Sequence, residues 1–322
     1  MNVLSLFDGM SCGMIALERA GIKVSNYYAS EIDKYATKVS EHNYPNIIRL
    51  GDVTKVSYKD GVLYSENGQW NVGKIDLLLA GSPCQGFSLA GKQLAFDDER
   101  SKLYFEFERI LKEVNPTYFI LENVKMKQEY KDVISDRLGV QPIAINSNLV
   151  SAQNRYRLYW TNIQGIQQPK DLGIVLTDVL DQDIEDNYYI KHGRLDWLKT
   201  FGEVKEKKGY VAFNPIKAKC LTARGEPSWN TTYILQWPHG TNKGGFRAID
   251  GKTPALTTSS WESNNYLLQN GLVRKLTPVE CERLQTVPDE YTSCVANNHR
   301  YKMLGNGWTV DVIVHILKGM QA

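Results

Sequence analysis

Apolar residues along this chain gather into short bursts that stop at glycine, an acid or proline, which favours strands buried inside an α/β sheet over long helices. The first burst, Val3 to Phe7, breaks into Asp8-Gly9-Met10-Ser11-Cys12-Gly13, after which Met14, Leu17 and Glu18 to Ala20 read as a helix stopped by Gly21. Tyr27-Tyr28-Ala29-Ser30-Glu31 is a second strand ending in an acid, and a third, Ile47 to Leu50, ends at Gly51-Asp52-Val53. A fourth, Asp76 to Ala80, runs into Gly81-Ser82-Pro83-Cys84-Gln85-Gly86-Phe87-Ser88, and Tyr118 to Val124 carries Glu122-Asn123 near its far end. Gln153 to Trp160 reads as one further strand that aims Arg155 and Arg157, two residues apart, at one face. Strand, glycine turn and helix in succession predict a doubly wound sheet, with ligands beyond the carboxyl ends of its strands.

Other stretches set the connections. Between Tyr58 and Gln69, Asp60-Gly61 and Asn67-Gly68 flank Val62-Leu63-Tyr64, a small surface hairpin without evident function. After Cys84 a loop passes Gly86, Gly91 and Asp97-Asp98-Glu99-Arg100 before Leu103, Phe107, Ile110 and Leu111 set a helix; a loop of this length reads as a lid. Thr277-Pro278-Val279-Glu280 is a capping box with proline at the first helical position, opening a helix that carries Cys281 and Leu284. The turn Gly305-Asn306-Gly307-Trp308-Thr309 leads into a helix with Val310, Ile313, Val314 and Leu317 on one face.

Composition divides the chain. Asp171 to Asp186 holds six acids and no Lys or Arg, whereas Asn187 to Asn270 holds 12 basic and six acidic residues among Gly, Thr, Asn, Trp and Tyr. That second stretch reads as a loop-rich lobe, with a loose repeat in which Phe213 to Tyr233 is echoed by Phe246 to Tyr266. Its aromatic residues suit a small core; Arg224, Glu226, Ser228, Asn230, Ser259, Ser260 and Glu262 between them are free to make polar contacts with a partner.

The totals exclude more than they select. With 322 residues and 42% hydrophobic content the chain can bury a real core, and a net charge of +2 announces no nucleic-acid partner by itself. Five cysteines form no CxxC pair, which argues for a reducing compartment and against structural zinc. No basic export segment precedes the first strand and no apolar run reaches the ~18 residues of a membrane span. The expectation is a soluble, cytoplasmic protein.

Cys84 stands beyond a strand end in a loop with Pro83, Gly81 and Gly86; a packed core cysteine is the competing reading. Each strand-end acid, taken alone, reads as an ordinary solvated turn carboxylate. Taken together, Pro83-Cys84-Gln85, Glu122-Asn123-Val124 and Gln153-x-Arg155-x-Arg157 resemble, in order and spacing, the DNA (cytosine-5) methyltransferase family, over nearly the whole chain outside about 170 to 270.

The resemblance implies a Rossmann-like S-adenosylmethionine-dependent methyltransferase fold of residues 1–168 and 271–322, with a smaller target-recognition domain at 169–270. It assigns catalysis to Cys84, Glu122, Arg155 and Arg157. It assigns S-adenosylmethionine to Phe7, Asp8, Gly9, Ser11, Gly13, Glu31, Ile32, Asp52, Val53, Pro83, Leu103, Asn306, Trp308 and Thr309. The DNA substrate falls to Ser82, Gln85, Ser88, Asn123, Gln153 and Arg224. Double-stranded DNA is the implied partner of a monomer that needs no metal and no second protein, in a bacterial or phage-infected cell. Ser5 stands where many bacterial members carry an acid, and Ser5-Leu6-Phe7-Asp8-Gly9, with Trp308, is similar to the vertebrate de novo methyltransferases. Two rivals are a tRNA cytosine methyltransferase, whose usual Cys-Phe-Thr signature is missing here, and a catalytically inactive DNA-binding member, against which Cys84, Glu122 and Arg157 all stand.

Overall fold

Five of the apolar bursts form neighbouring parallel strands of one seven-stranded sheet. The computed structural model describes residues 1–82, 102–189, 233–236, 245–248, 252–256, 266–269 and 272–321. In chain order the first strands are β1 (Asn2–Leu6), β2 (Asn26–Ser30), β3 (Ile48–Arg49), β4 (Ser57–Lys59), β5 (Val62–Ser65), β6 (Gly68–Asn71), β7 (Leu77–Ala80) and β8 (Tyr118–Val124). Then come β9 (Ile143–Asn146), β10 (Gln153–Asn154) and β11 (Tyr156–Thr161). The large sheet runs β3-β2-β1-β7-β8-β11-β9, parallel from β3 to β8, with β11 antiparallel to both of its neighbours. The chain leaves β1 toward β2 and β3, then returns to place β7 on the other side of β1. That reversal opens a crevice at the carboxyl ends of β1 and β7.

Alternation along each strand sorts side chains between two cores. Val3, Leu77, Leu79, Ile120 and Tyr159 face one cluster with helices α1 (Cys12–Arg19) and α2 (Lys34–Asn43). Leu4, Leu6, Leu78, Leu121 and Trp160 face the other, with α3 (Lys102–Val114) and α4 (Gln128–Leu138). Three C-terminal helices, α5 (Pro278–Leu284), α6 (Asn297–Asn306) and α7 (Val310–Lys318), add their apolar residues to the first cluster. This is the predicted α/β architecture, and the strands are apolar on both faces because helices cover both.

Three expectations shift in detail. The segment from Gln153 is two strands rather than one, with Arg155 in the gap between β10 and β11, so Arg155 and Arg157 do not share a regular strand face. The surface hairpin is a three-stranded meander, β4-β5-β6. Its first turn has positive φ at Asp60 and Gly61 (50° and 81°), but the second turns at Glu66-Asn67, one residue earlier than expected, and Gly68 begins β6. Gly305 and Asn306 belong to the last turn of α6, a helix of weak apolar period held by burial of Tyr301, Met303 and Leu304. The capping box of α5 forms as read: Thr277 Oγ1 accepts from Glu280 N at 3.1 Å, and the Glu280 carboxylate accepts from Thr277 N at 2.8 Å.

From the basic stretch the described residues include β12 (Tyr233–Gln236), β13 (Gly245–Ala248), β14 (Thr253–Pro254) and β15 (Tyr266–Gln269), followed by β16 (Leu272–Arg274). They form a four-stranded antiparallel sheet, β13-β12-β15-β16, while β14 pairs with β10. The β15–β16 hairpin straddles residue 270. The buried Arg274 makes a two-pronged ion pair with Glu280 at 2.8 Å, and Asp181 N also donates to Glu280, so the chain before and after the stretch is tied to α5. The lid loop and most of the repeat lie outside the described residues. Among those described, no helix is long and apolar enough to cross a membrane.

Candidate active site

The turn after β1 is built under strain. Phe7 and Ser11 hold positive φ (57° and 64°) beside Gly9 (60°), a left-handed conformation that non-glycine residues adopt at a cost of about 1–3 kcal/mol each. Buried polar contacts fix it. Asp8 accepts from Ser11 Oγ at 2.5 Å and from Tyr27 Oη at 2.7 Å, and its N–H donates to Ser30 O at 3.0 Å. Burial raises the Asp8 carboxyl above its ordinary value although the Ser11, Ser5 and Tyr27 hydroxyls oppose the shift.

Glu31, just past β2, has both oxygens occupied by backbone donors: Gly9 N at 2.7 Å, Ile32 N at 2.9 Å and Asp33 N at 2.8 Å. Burial still raises its pKa, against those three hydrogen bonds. Asp33 caps α2 through Tyr35 N and receives Lys302 Nζ at 2.6 Å; burial opposes ionisation there, yet Lys302 and the helix N–H groups hold its pKa below the usual value. Asp52 stands after β3, where its carboxylate accepts from Thr54 N at 2.9 Å.

These strand ends line a cavity of about 390 Å³. Phe7, Asp8, Gly9, Glu31, Ile32, Asp52, Val53, Leu103, Asn306 and Trp308, all expected at a cofactor, form one wall, and Ser82, Glu122, Arg155 and Arg157 are on the same cavity. Glu122 and Arg157 meet directly. Val124 pairs with Arg157 and Glu122 with Tyr159 across β8 and β11, so the two side chains share a face and sit diagonally, with Arg157 Nε 2.9 Å from Glu122 Oε1. Both are largely buried, which strengthens the pairing relative to a surface bridge.

Five expected contacts stand away from the cavity lining. Ser11 is fully buried behind Asp8, and its hydroxyl also meets that of Ser40. Gly13 faces the sheet, where a Cβ would come within 2.7 Å of both Leu79 and Tyr27, so it is glycine for close packing of α1. Thr309 donates to Gln285 Oε1 at 2.9 Å, Asn123 donates to Ser82 Oγ at 3.2 Å, and Gln153 is fully buried between Leu284 O, Gln285 and Leu256 N. They brace the site from behind. Arg155, though on the cavity, spends its guanidinium on backbone carbonyls: Leu256 O at 3.0 Å, Gly305 O at 3.1 Å and Gly307 O at 3.0 Å. It anchors the C-terminal turn rather than reaching Arg157. Pro83, Cys84, Gln85, Ser88 and Arg224 lie outside the described residues; Ser82, the last described residue before them, is in the cavity wall.

Sequence reasoning missed Met10, Cys12, Gly81, Met303, Gly305 and Gly307 in the lining. The small residues there have a common cause. A Cβ on Gly81 would come 2.7 Å from Trp308 Nε1, and one on Gly307 3.0 Å from Met10 Cε, so the C-terminal turn closes directly onto β7 and the first turn. Burial pushes the Cys12 thiol up to about 12, which keeps it an inert wall residue.

The C-5 cytosine-specific DNA methylase family model matches residues 1–322. The Type II methyltransferase M.HhaI of Haemophilus parahaemolyticus is 29% identical, covering 98% of this chain and 93% of its own. The Type II methyltransferase M.HpaII of Haemophilus parainfluenzae is 30% identical over 96% of this chain and 86% of its own. Among solved structures, a DNA modification methyltransferase, described as putative and encoded within an E. coli prophage, superposes with a TM-score of 0.65 at 22% identity, covering 100% of this chain and 98% of that one, a likeness of fold. The bacterial relatives do not support the likeness to the vertebrate de novo methyltransferases. The residues that prompted it have local reasons here: Asp8 secures Ser11 and Tyr27, and Trp308 packs on Gly81.

Proposed function

The chain belongs to the C-5 cytosine-specific DNA methylase family, and from that premise we propose that Cys84, Glu122 and Arg157 carry the chemistry of a DNA (cytosine-5) methyltransferase whose methyl donor is S-adenosylmethionine. The observation that carries the reading is the Glu122–Arg157 pair, 2.9 Å apart on a cavity that also holds the strand-end acids Glu31 and Asp52. One space thus has an acid–cation pair on one side and two strand-end carboxylates on the other.

The second wall fits S-adenosylmethionine. Glu31, fixed by three N–H groups, suits ribose hydroxyls; Ile32, 78% exposed, offers an apolar surface to adenine, and Asp52 an acceptor to its amino group. Phe7, Asp8, Gly9 and Trp308, on the same lining, would enclose the methionine end. When bound, the donor supplies an electrophilic methyl group.

Cytosine C5 is a poor nucleophile until something adds to C6. The Cys84 thiolate does so, giving a covalent adduct that divides one hard step into easier ones. Negative charge then builds on N3 and O2. Arg157 turns toward O2, which loosens its hold on Glu122; the freed carboxylate takes up the proton that the Cys84 thiol gives up and passes it to N3. Arg155 serves at one remove, by keeping the turn through Trp308 in position. C5 takes the methyl group, leaving S-adenosylhomocysteine; its proton then passes to solvent water as the C5–C6 double bond re-forms and expels the Cys84 thiolate, and N3 returns its proton to Glu122. The target atom lies inside the base stack, so the nucleotide is flipped out of the duplex, and the cavity is the space that receives it. We assign residues 1–168 and 271–322 to the catalytic domain and 169–270, with Arg224, to target recognition, in a monomeric cytoplasmic enzyme.

The test is covalent trapping. Duplex DNA with 5-fluorocytosine should capture the wild-type protein, since fluorine cannot leave as a proton does, and Cys84→Ala should abolish both capture and methyl transfer while S-adenosylmethionine still binds. Capture through Cys281 or Cys294 would overturn the assignment of the nucleophile.

A further inference from the structure

The meander β4-β5-β6 is the part of the described fold to which the proposed chemistry gives no role. Its second turn does not project idly into solvent. Glu66 Oε1 accepts from Asp52 N at 2.9 Å, and Asn67 Nδ2 donates to Arg49 O at 3.1 Å, so two successive tip residues grip the end of β3 and the loop that follows it. Glu66 Oε2 also takes Lys55 Nζ at 2.5 Å, which ties the far side of the same loop. The fit has an imprint on the loop itself. Gly51 has φ +79°, which calls for glycine, and a Cβ there would displace the Glu66 carboxylate from its present seat. At its base the meander is held to α3: Tyr58 N donates to Glu113 Oε2 at 2.9 Å and Arg109 donates to Val56 O at 2.7 Å.

We propose that the meander is a buttress for the donor site and that Glu66 is its positioning residue, fixing the main chain of Asp52 so that the Asp52 carboxylate meets the adenine amino group. The inference rests on the donor-site reading of Asp52 given above. The hydrogen-bond geometry supports the division of labour: Thr54 N holds the Asp52 side chain, while Glu66 holds its main chain. Losing Glu66 removes the acceptor of Asp52 N and leaves the loop to Ser30 Oγ, which donates to Gly51 O at 2.7 Å, and Lys55 N, which donates to Asp52 O at 3.0 Å, so the free protein samples more loop positions that bound donor has to exclude. The cost falls on binding rather than on chemistry, because Glu122 and Arg157 lie on β8 and β11, across the sheet from β3.

The experiment is calorimetric binding of S-adenosylhomocysteine, a non-reactive probe, to the full chain and to Glu66→Ala, Glu66→Gln and Asp52→Ala, with steady-state methylation alongside. Glu66→Ala should weaken binding about fivefold to tenfold, the size of one partly solvated hydrogen bond expressed as a ratio. It should raise KM for S-adenosylmethionine in proportion and leave kcat and KM for DNA within twofold. Glu66→Gln, whose amide oxygen can still accept from Asp52 N, should recover most of the affinity. Equal losses in both Glu66 variants, or a fall in kcat with unchanged KM, would mean that the residue serves only general stability and would overturn the proposal. Wild-type binding by Glu66→Ala beside weakened binding by Asp52→Ala would overturn it while sparing the donor site; wild-type binding by Asp52→Ala would overturn the donor-site reading and this inference with it.

Discussion

Replacing Glu122 by Gln isolates the proton from the shape of the site. The amide oxygen can still accept from Arg157 Nε, now 2.9 Å from the carboxylate, and β8 keeps its pairing to β7 and β11. The lost ion pair is only 11% and 16% exposed, so the variant leaves a largely buried guanidinium without its counter-charge; with the amide hydrogen bond retained that costs up to about 3 kcal/mol, which an ordinary domain can lose and stay folded. The expected effect therefore falls on the reaction. Removing a positioned acid slows proton transfer by about 10² to 10⁴, or roughly 3–5 kcal/mol at the barrier. Rapid-quench single-turnover methylation, with saturating donor and duplex DNA, reads this step directly, while thermal melting and donor calorimetry read the rest. The predicted result is a methylation rate down at least a hundredfold, measured below a melting temperature lowered by no more than about 10 °C, since about 3 kcal/mol moves a chain of this size by that much. An unchanged single-turnover rate would refute the reasoning, and N3 would have to receive its proton from another group.

Three further outcomes follow from particular contacts. Gly81→Ala drives a Cβ to 2.7 Å from the rigid Trp308 ring, so donor affinity should fall by about 1–3 kcal/mol in calorimetry; unaltered binding would mean that the C-terminal turn does not shape the donor wall. Asp8→Asn should stabilise the protein at neutral pH. The folded pKa of Asp8 is raised above 3.8, so the native state holds more protons than the unfolded state between those two values. Stability is accordingly lost as pH rises through that window, and it stays lower above it. The gain in the variant should vanish as pH falls toward 3.8, and urea midpoints at neutral and acid pH would reveal the opposite trend if the burial argument fails. Arg224→Ala should relax sequence preference at one base pair by about 1–3 kcal/mol without shifting others, as bisulfite sequencing of methylated DNA would show; an unchanged motif would move specificity elsewhere.

What the sequence determined by itself is local chemistry at strand ends. Short apolar runs closed by Gly9, Glu31, Asp52, Ser82 and Glu122 can be read because strand and turn propensities act within a few residues, and a strand buried on both faces leaves its polar group only at the end. The capping box at Thr277 was legible for the same reason: its donors and acceptors are three residues apart. The identities of distant partners were not. Gln153, Thr309 and Asn123 carry the polar side chains of a ligand site, but whether such a group meets ligand or protein depends on what the fold brings beside it, and here that is Leu284, Gln285 and Ser82. Arg155 and Arg157 look equivalent in sequence. Only the break between β10 and β11 sends one guanidinium to the carbonyls of Gly305 and Gly307 and the other to Glu122. The meander likewise reads as an idle surface hairpin, since nothing within its own residues encodes that Glu66 finds Asp52; that contact exists because the sheet places β3 where the returning chain can reach it.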